Sequence, residues 1–374
     1  MHITMRYSSI ASGFVALALS AVATPALAQS DAVRALYVSA ANVPTNVPGI
    51  NTYAQPPKGF NPVAATDEEL ATYGFPPRPN KQVDADHYAL WERAMLAAKI
   101  RWNGELKPLP ARGHGMIPAG GPSSQEDAVP LTGPAKVDSL NWSGVALRNS
   151  LKKWSTTASF NDIYTEISVP TTQAPFGAPC PSGTVFAQYS WAGIDGYPPS
   201  TSIGPPLRGG VVAERVCTVG EFYRAFVAWG GVNTVFGVYV GDVFYTEVIG
   251  FGGLTPGSVF VEDLSTLTYG TYSVQSGDGT PLVGNSAQWI VERPAGYPLA
   301  NTISIFFDGG AVYNTSHHLF YPGSQATTTA ILTMRDDGNT QDIEVVSQGY
   351  AGYEGLHALL FQTTGCAFSG GCTP

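Results

Sequence analysis

From Val137 onward, apolar and polar residues alternate in short runs separated by Gly, Pro, Asn and Asp. Alternation with a period of two predicts half-buried strands. The runs fall at 141–147, 160–169, 185–193, 222–229, 236–240, 243–249, 258–263, 269–275, 288–292, 303–307, 327–334 and 342–347. About a dozen short strands with such turns predict an all-β sandwich of two antiparallel sheets, lectin-like in outline. In one run Phe186, Gln188 and Ser190 point one way while Ala187, Tyr189 and Trp191 point the other. It leads into Trp191-Ala192-Gly193-Ile194-Asp195-Gly196, where two glycines frame a carboxylate beside a large aromatic. In another, Gln288, Ile290 and Glu292 share one face and Ala287, Trp289 and Val291 the other.

The first third of the chain reads differently. Residues 29–136 are Pro-rich, and one helix is expected there. Asp84-Ala85-Asp86 forms its capping region, and Tyr88, Trp91, Met95 and Ala98 follow at helical spacing. Residues 113–133 are rich in Gly, Pro and Ser and read as a linker. At the very start, Arg6, an apolar run over 10–22 and Ala26-Leu27-Ala28 have the form of a secretory signal with its cleavage site. The expected layout is therefore a signal peptide (1–28), a partly helical prosegment with linker (29–136) and a β-sandwich (137–374). A permanent N-terminal domain or adaptor is the alternative to a prosegment.

Charge sharpens this division. Residues 137–374 carry 8 Lys/Arg and 18 Asp/Glu, a net of 8 − 18 = −10, whereas 29–136 are balanced at 10 and 10. Such an acidic body argues against nucleic acid as a partner. It fits work in acid, and it fits ordinary solubility equally well. All four cysteines lie in the body, and export permits disulfides. Cys180–Cys217 and Cys366–Cys372 are the favoured pairs among three connectivities, because each brackets a Gly- or Pro-rich loop. No Cys/His cluster suggests a metal, no cofactor is expected, and the apolar run at the start is too short for a convincing membrane anchor.

Six stretches, in order, resemble the eqolisin family of glutamic peptidases. They are Asn141-Trp142-Ser143-Gly144, Ile167-Ser168-Val169-Pro170, Trp191 to Gly196, Gly241-Asp242, Glu262-Asp263-Leu264-Ser265-Thr266, and Ala287-Gln288-Trp289-Ile290-Val291-Glu292. Tyr73-Gly74-Phe75-Pro76-Pro77-Arg78-Pro79 is similar to the segment that precedes the body in bacterial relatives. The resemblance implies a secreted, monomeric acid endopeptidase acting on extended polypeptides, with its own prosegment covering the groove. Glu292 stands at the family's catalytic glutamate. It would take a proton from the attacking water and return it to the leaving amine. Trp191, Trp142 and Trp229 would line the groove, with Asp195 as a supporting carboxylate.

The catalytic partner departs from the pattern. The family has glutamine where this chain has Arg208, in Leu207-Arg208-Gly209-Gly210, within a stretch that its prolines mark as a rearranged loop. The family's acidic residue before a retained Trp229 is here Ala228. Arginine also donates hydrogen bonds to an oxyanion, but a fixed cation beside Glu292 weakens it as a base. Three readings stay open: Arg208 replaces the glutamine, another amide (Gln188 or Gln288) takes over, or the groove persists without catalysis as a peptide- or glycan-binding surface. An amide near Glu292 and open to a cleft speaks for an enzyme. A buried Arg208–Glu292 ion pair speaks for a retired site. Glycoside hydrolysis is disfavoured, since no Glu-x-Asp-x-Glu strand supplies its paired carboxylates.

Overall fold

The computed structural model describes residues 26–112, 116–117, 135–175, 178–197, 204–302, 304–322, 329–335, 341–349 and 358–363. Three α-helices occur among them: α1 (Ala26–Ala40), α2 (Asp67–Tyr73) and α3 (Ala85–Ala97). The strands of the N-terminal part are β1 (Val43–Pro44), β2 (Ile50–Thr52), β3 (Ile100–Arg101) and β4 (Lys107–Arg112). Those of the body begin with β5 (Ala135–Ser139), β6 (Trp142–Arg148), β7 (Phe160–Ser168), β8 (Val185–Ile194), β9 (Leu207–Val216) and β10 (Gly220–Trp229). Next come β11 (Gly231–Gly237), β12 (Val243–Ile249), β13 (Gly257–Asp263), β14 (Thr268–Val274) and β15 (Ser286–Glu292). The last are β16 (Ser304–Asn314), β17 (Leu319–Phe320), β18 (Thr329–Arg335), β19 (Gln341–Gly349) and β20 (Ala358–Thr363).

Strand pairing builds two layers. The first sheet runs β4-β11-β10-β9-β8-β15-β6-β18, with β5 parallel to β18. The second runs β20-β16-β7-β12-β13-β14 and is extended by β2 and β1 and by β3. Strand β19 pairs with both β18 and β20 and so connects the layers. Between them lies the main core, to which the first sheet gives Val145, Ile194, Trp229 and Trp289 and the second gives Ile163 and Val261. The all-β sandwich expected from alternation is thus the observed fold.

Some local expectations are corrected. The run placed at 236–240 is a strand over Gly231–Gly237, because Tyr239 and Asp242 already form the turn into β12. The supposed loop around Arg208 is strand β9, in full antiparallel register with β8 and β10. Cys180–Cys217 is formed, while Cys366 and Cys372 lie outside the described residues. No helix among the described residues is long and apolar enough to cross a membrane.

The expected helix is α3, capped by Asp84, whose carboxylate accepts from the His87 N–H at 3.0 Å. It buries Leu90, Trp91, Ala94 and Met95 on the outer face of the second sheet, against Tyr164, Tyr245, Phe260 and Tyr269. The N-terminal part therefore rests mainly on the sheet that lacks Glu292. It also contributes edge strands to both sheets through β1–β4. Helix α1 starts at Ala26 and continues across the expected 28/29 junction.

A buried polar cluster lies under α3. The His87 ring stacks on Tyr164, with centroids 3.6 Å apart and planes 3° apart. Its Nδ1 is 3.2 Å from the Tyr313 hydroxyl, and its Nε2 is 4.0 Å from Glu247 Oε2. Tyr313 donates to Asp84, and Tyr245 donates to Glu247 at 2.5 Å. Burial pushes His87 down to about 4, against the pull of Asp162 and Asp84. Burial pushes Glu247 up to about 8, although hydrogen bonds from Tyr245 and Asp162 oppose it. Asp162 is also raised well above the ordinary carboxylate range, chiefly by burial.

Candidate active site

The outer face of the first sheet carries a second apolar cluster, and Glu292 lies on it. Parity explains the arrangement. In β15, Ala287, Trp289 and Val291 turn inward to the core, so Gln288, Ile290 and Glu292 turn outward. Glu292 is the last residue of β15 and pairs with Trp142 on β6 and Tyr189 on β8. Two residues back along the strand, Ile290 pairs with Gly144 and Trp191, and Trp191 pairs with Gly210 on β9. Close approach makes Gly210 necessary: a Cβ there would lie 2.1 Å from the Ser190 carbonyl oxygen. Gly210→Ala is expected to cost about 1–3 kcal/mol by overpacking and to shift Trp191, as read from the melting temperature and tryptophan emission.

Arg208 reaches Glu292. Its Nη1 forms an ion pair with Glu292 Oε2, and the indole N–H of Trp191 donates to the same oxygen at 2.8 Å. Both charged residues are 1% exposed. The guanidinium lies 4.8 Å from the Trp191 ring centroid and 5.6 Å from that of Phe226, so aromatic faces help to hold the cation. Trp142 packs edge-on against Trp191 at 5.0 Å. Tyr189 adds its ring to this wall, and burial with the nearby Glu292 charge pushes its phenol upward. Met116 and the partly buried Leu109 close over the same cluster from the N-terminal side.

The other residues singled out from sequence separate from this site. Trp229 belongs to the core between the sheets, since Phe226 and Ala228 take the outward positions of β10. Gln188 stands at opposite parity to Trp191, and its Oε1 accepts from Thr302 at 3.1 Å. Asp195 does not act on Glu292. It adopts a left-handed backbone with φ of 66° and accepts the backbone N–H groups of Val283 and Asn285 at 2.5 and 2.9 Å. It anchors the turn before β15, and burial raises its pKa despite these bonds. Gln288 does share the outward face of Glu292. Tyr189 and Phe226 were not singled out as site residues. The period that grouped Tyr189 with Trp191 carried the signal for it. Among the described residues no group of three or more His, Cys, Asp or Glu is placed to hold a metal ion.

This outward glutamate, with tryptophan and a strand-borne donor beside it, falls inside a family match. The model of the peptidase A4 family matches residues 140–349, more than half of the 374-residue chain. The chain belongs to the peptidase A4 family. No curated protein sequence matches it. Among solved structures, scytalidoglutamic peptidase with a peptide-based transition-state analogue is 17% identical with a TM-score of 0.46. The same peptidase with another transition-state analogue inhibitor is 18% identical with a TM-score of 0.45. SCP-B, an eqolisin in complex with the tripeptide Ala-Ile-His, is 17% identical with a TM-score of 0.45. In all three cases the alignment covers 60% of this chain and 98% of the other. In this A4 peptidase family member Glu292 stands on the outward sheet face with Arg208 beside it.

Proposed function

We propose that the chain is an exported acid endopeptidase in a closed, latent state, with Glu292 as the general base and acid. The observation that supports this reading is the Glu292 carboxylate, held by Trp191 and Arg208 on the face turned away from the core. In turnover, Glu292 takes a proton from a water as its oxygen bonds to the scissile carbonyl carbon. Arg208 turns from the carboxylate to donate to the oxyanion. The C–N bond then breaks as Glu292 returns the proton to the amine. Loss of one oxyanion donor typically costs roughly 10²–10³ in rate, so Arg208 would matter nearly as much as the base. Residues 1–28 would be removed on export, and 29–136 would act as the prosegment.

A specific observation favours a second reading. The Arg208–Glu292 pair is buried, which neutralises the base and suits a groove that binds polypeptide without cutting it. One experiment separates the two. Wild type, Glu292→Gln and Arg208→Gln are incubated with unfolded casein from pH 2 to 6, before and after limited proteolysis of the linker. Cleavage by wild type that falls to background in Glu292→Gln supports the peptidase. An inert wild type beside an active Arg208→Gln supports the binding protein.

A further inference from the structure

We propose that Gln288 and the small residues around it form a subsite that grips one peptide group of an extended polypeptide. This rests on a polypeptide-binding groove, which both readings above share. Cross-strand pairing lines up Ala330, Ala146, Gln288, Gly193, Arg208 and Ala228 in one row across five neighbouring strands and β18. Four of these six have no side chain larger than a methyl group, so with Leu109 and Met116 moved aside this buried row would form a shallow trough running across the strands. The larger residues Ile290, Trp191 and Phe226 bound it on one side. Gly193, between the two long polar residues, leaves room for Arg208: a Cβ there would meet the Arg208 Cβ at 2.7 Å.

Gln288 is the anomaly in this row. It is 0% exposed, yet neither Oε1 nor Nε2 has a hydrogen-bond partner among the described residues. Gln188, equally buried, has its Oε1 bonded to Thr302 and only its Nε2 without a partner among the described residues. A buried amide left unpaired typically costs about 1–3 kcal/mol, and such groups in folded proteins call for a ligand or another cause. The Arg208 Nε is likewise buried without a partner among the described residues. A carboxamide is the complement of a peptide group: Oε1 accepts its N–H while Nε2 donates to its carbonyl. Gln288 and Arg208 are two strands apart, about 10 Å, which an extended chain spans in about three residues. The ligand therefore crosses the strands rather than pairing along an edge, and proline is excluded at the gripped position because it lacks the N–H. Leu109 and Met116 must swing aside for it to enter.

The test is an ester scan with the full chain carrying Glu292→Gln, after the same limited proteolysis of the linker, so that the groove can open and no probe is consumed. Eight-residue Ala/Val peptides, each with one backbone N–H replaced by an ester oxygen, are titrated by calorimetry. One position is expected to lose about tenfold in affinity. Gln288→Leu in the same background should flatten the profile to within about twofold of the all-amide peptide, while Gln288→Glu, which keeps the acceptor, should retain the weak position. Because Gln288 is unpaired, Gln288→Leu should also melt no lower than its parent. An unchanged profile in Gln288→Leu overturns the proposal, as does absence of any peptide binding. Failure of the wild type to cleave casein bears on the enzyme reading and leaves the scan intact.

Discussion

Arg208→Ala is expected to destabilise the protein by about 3–5 kcal/mol, because it leaves the Glu292 carboxylate buried without its cation. In a chain of this size that corresponds to a drop in melting temperature of about 4–6 °C. The asymmetry of buried ion pairs gives the control. Removing both charges together, as Arg208→Met with Glu292→Leu, should be near neutral or stabilising, since apolar groups of similar volume escape the desolvation penalty. Arg208→Gln should fall between, as an amide still donates to Glu292. The measurement also reports on the state of the groove. If the N-terminal part is cut away and water reaches the pair, the cost of Arg208→Ala should shrink below about 1 kcal/mol, as for exposed pairs. Equal cost before and after cutting would mean that the groove stays closed.

The second large effect is a fall in stability from pH 6.5 to 8, governed by the cluster under α3. Glu247, ordinarily near 4.5, is raised to about 8 in the fold. Its contribution is therefore full below pH 4.5 and lost as pH rises through 8. His87 runs the other way, from 6.5 down to about 4, so its contribution is full above pH 6.5 and lost as pH falls through 4. Between 4.5 and 6.5 the two slopes oppose each other. Above 6.5 Glu247 acts without that offset, at up to about 1.4 kcal/mol per pH unit. Asp162, also raised by burial, contributes with the same sign as Glu247, its stabilisation being lost as pH rises. The neighbours that face His87 are Asp84, Asp162, Tyr164, Glu247 and Tyr313. Calorimetric melting from pH 4 to 9 should show the fall, with Glu247→Gln flattening the alkaline side. His87→Asn should let stability climb from pH 6.5 down to 4.5. A melting temperature that rises from pH 6.5 to 8 would contradict this account. Below pH 4.5 the Glu247 contribution is level and His87 acts alone, so the cluster beneath α3 loosens as pH falls toward 4.

The sandwich was legible because alternation is a local signal: the burial of β12 and β15 can be read residue by residue. Strand β9 was hidden by its own packing requirement. Gly209 and Gly210 weaken any strand pattern, yet Gly210 is there because Trp191 and the Ser190 carbonyl leave no room for a Cβ. The proximity of Glu292 and Trp191 followed from paired strands, but Trp229 was misplaced. Resemblance carried it into the groove, while its parity against Phe226 and Ala228 turns it into the core. The His87 cluster had no sequence signal, since its partners Tyr164, Glu247 and Tyr313 come from three different strands of the body.

Strand β4 caps the first sheet at β11, while β2 and β3 cap the second at β14. Both sandwich edges are thus closed by the same N-terminal part. A single cut between 112 and 135 would leave these ladders intact, so the two pieces should migrate as one particle under native conditions and as two in denaturant. Stripping the N-terminal piece away would bare two rows of unpaired backbone N–H and C=O groups at once, a template for fibrous self-association. The N-terminal part thereby acts as a built-in guard against aggregation, whatever it does to the groove.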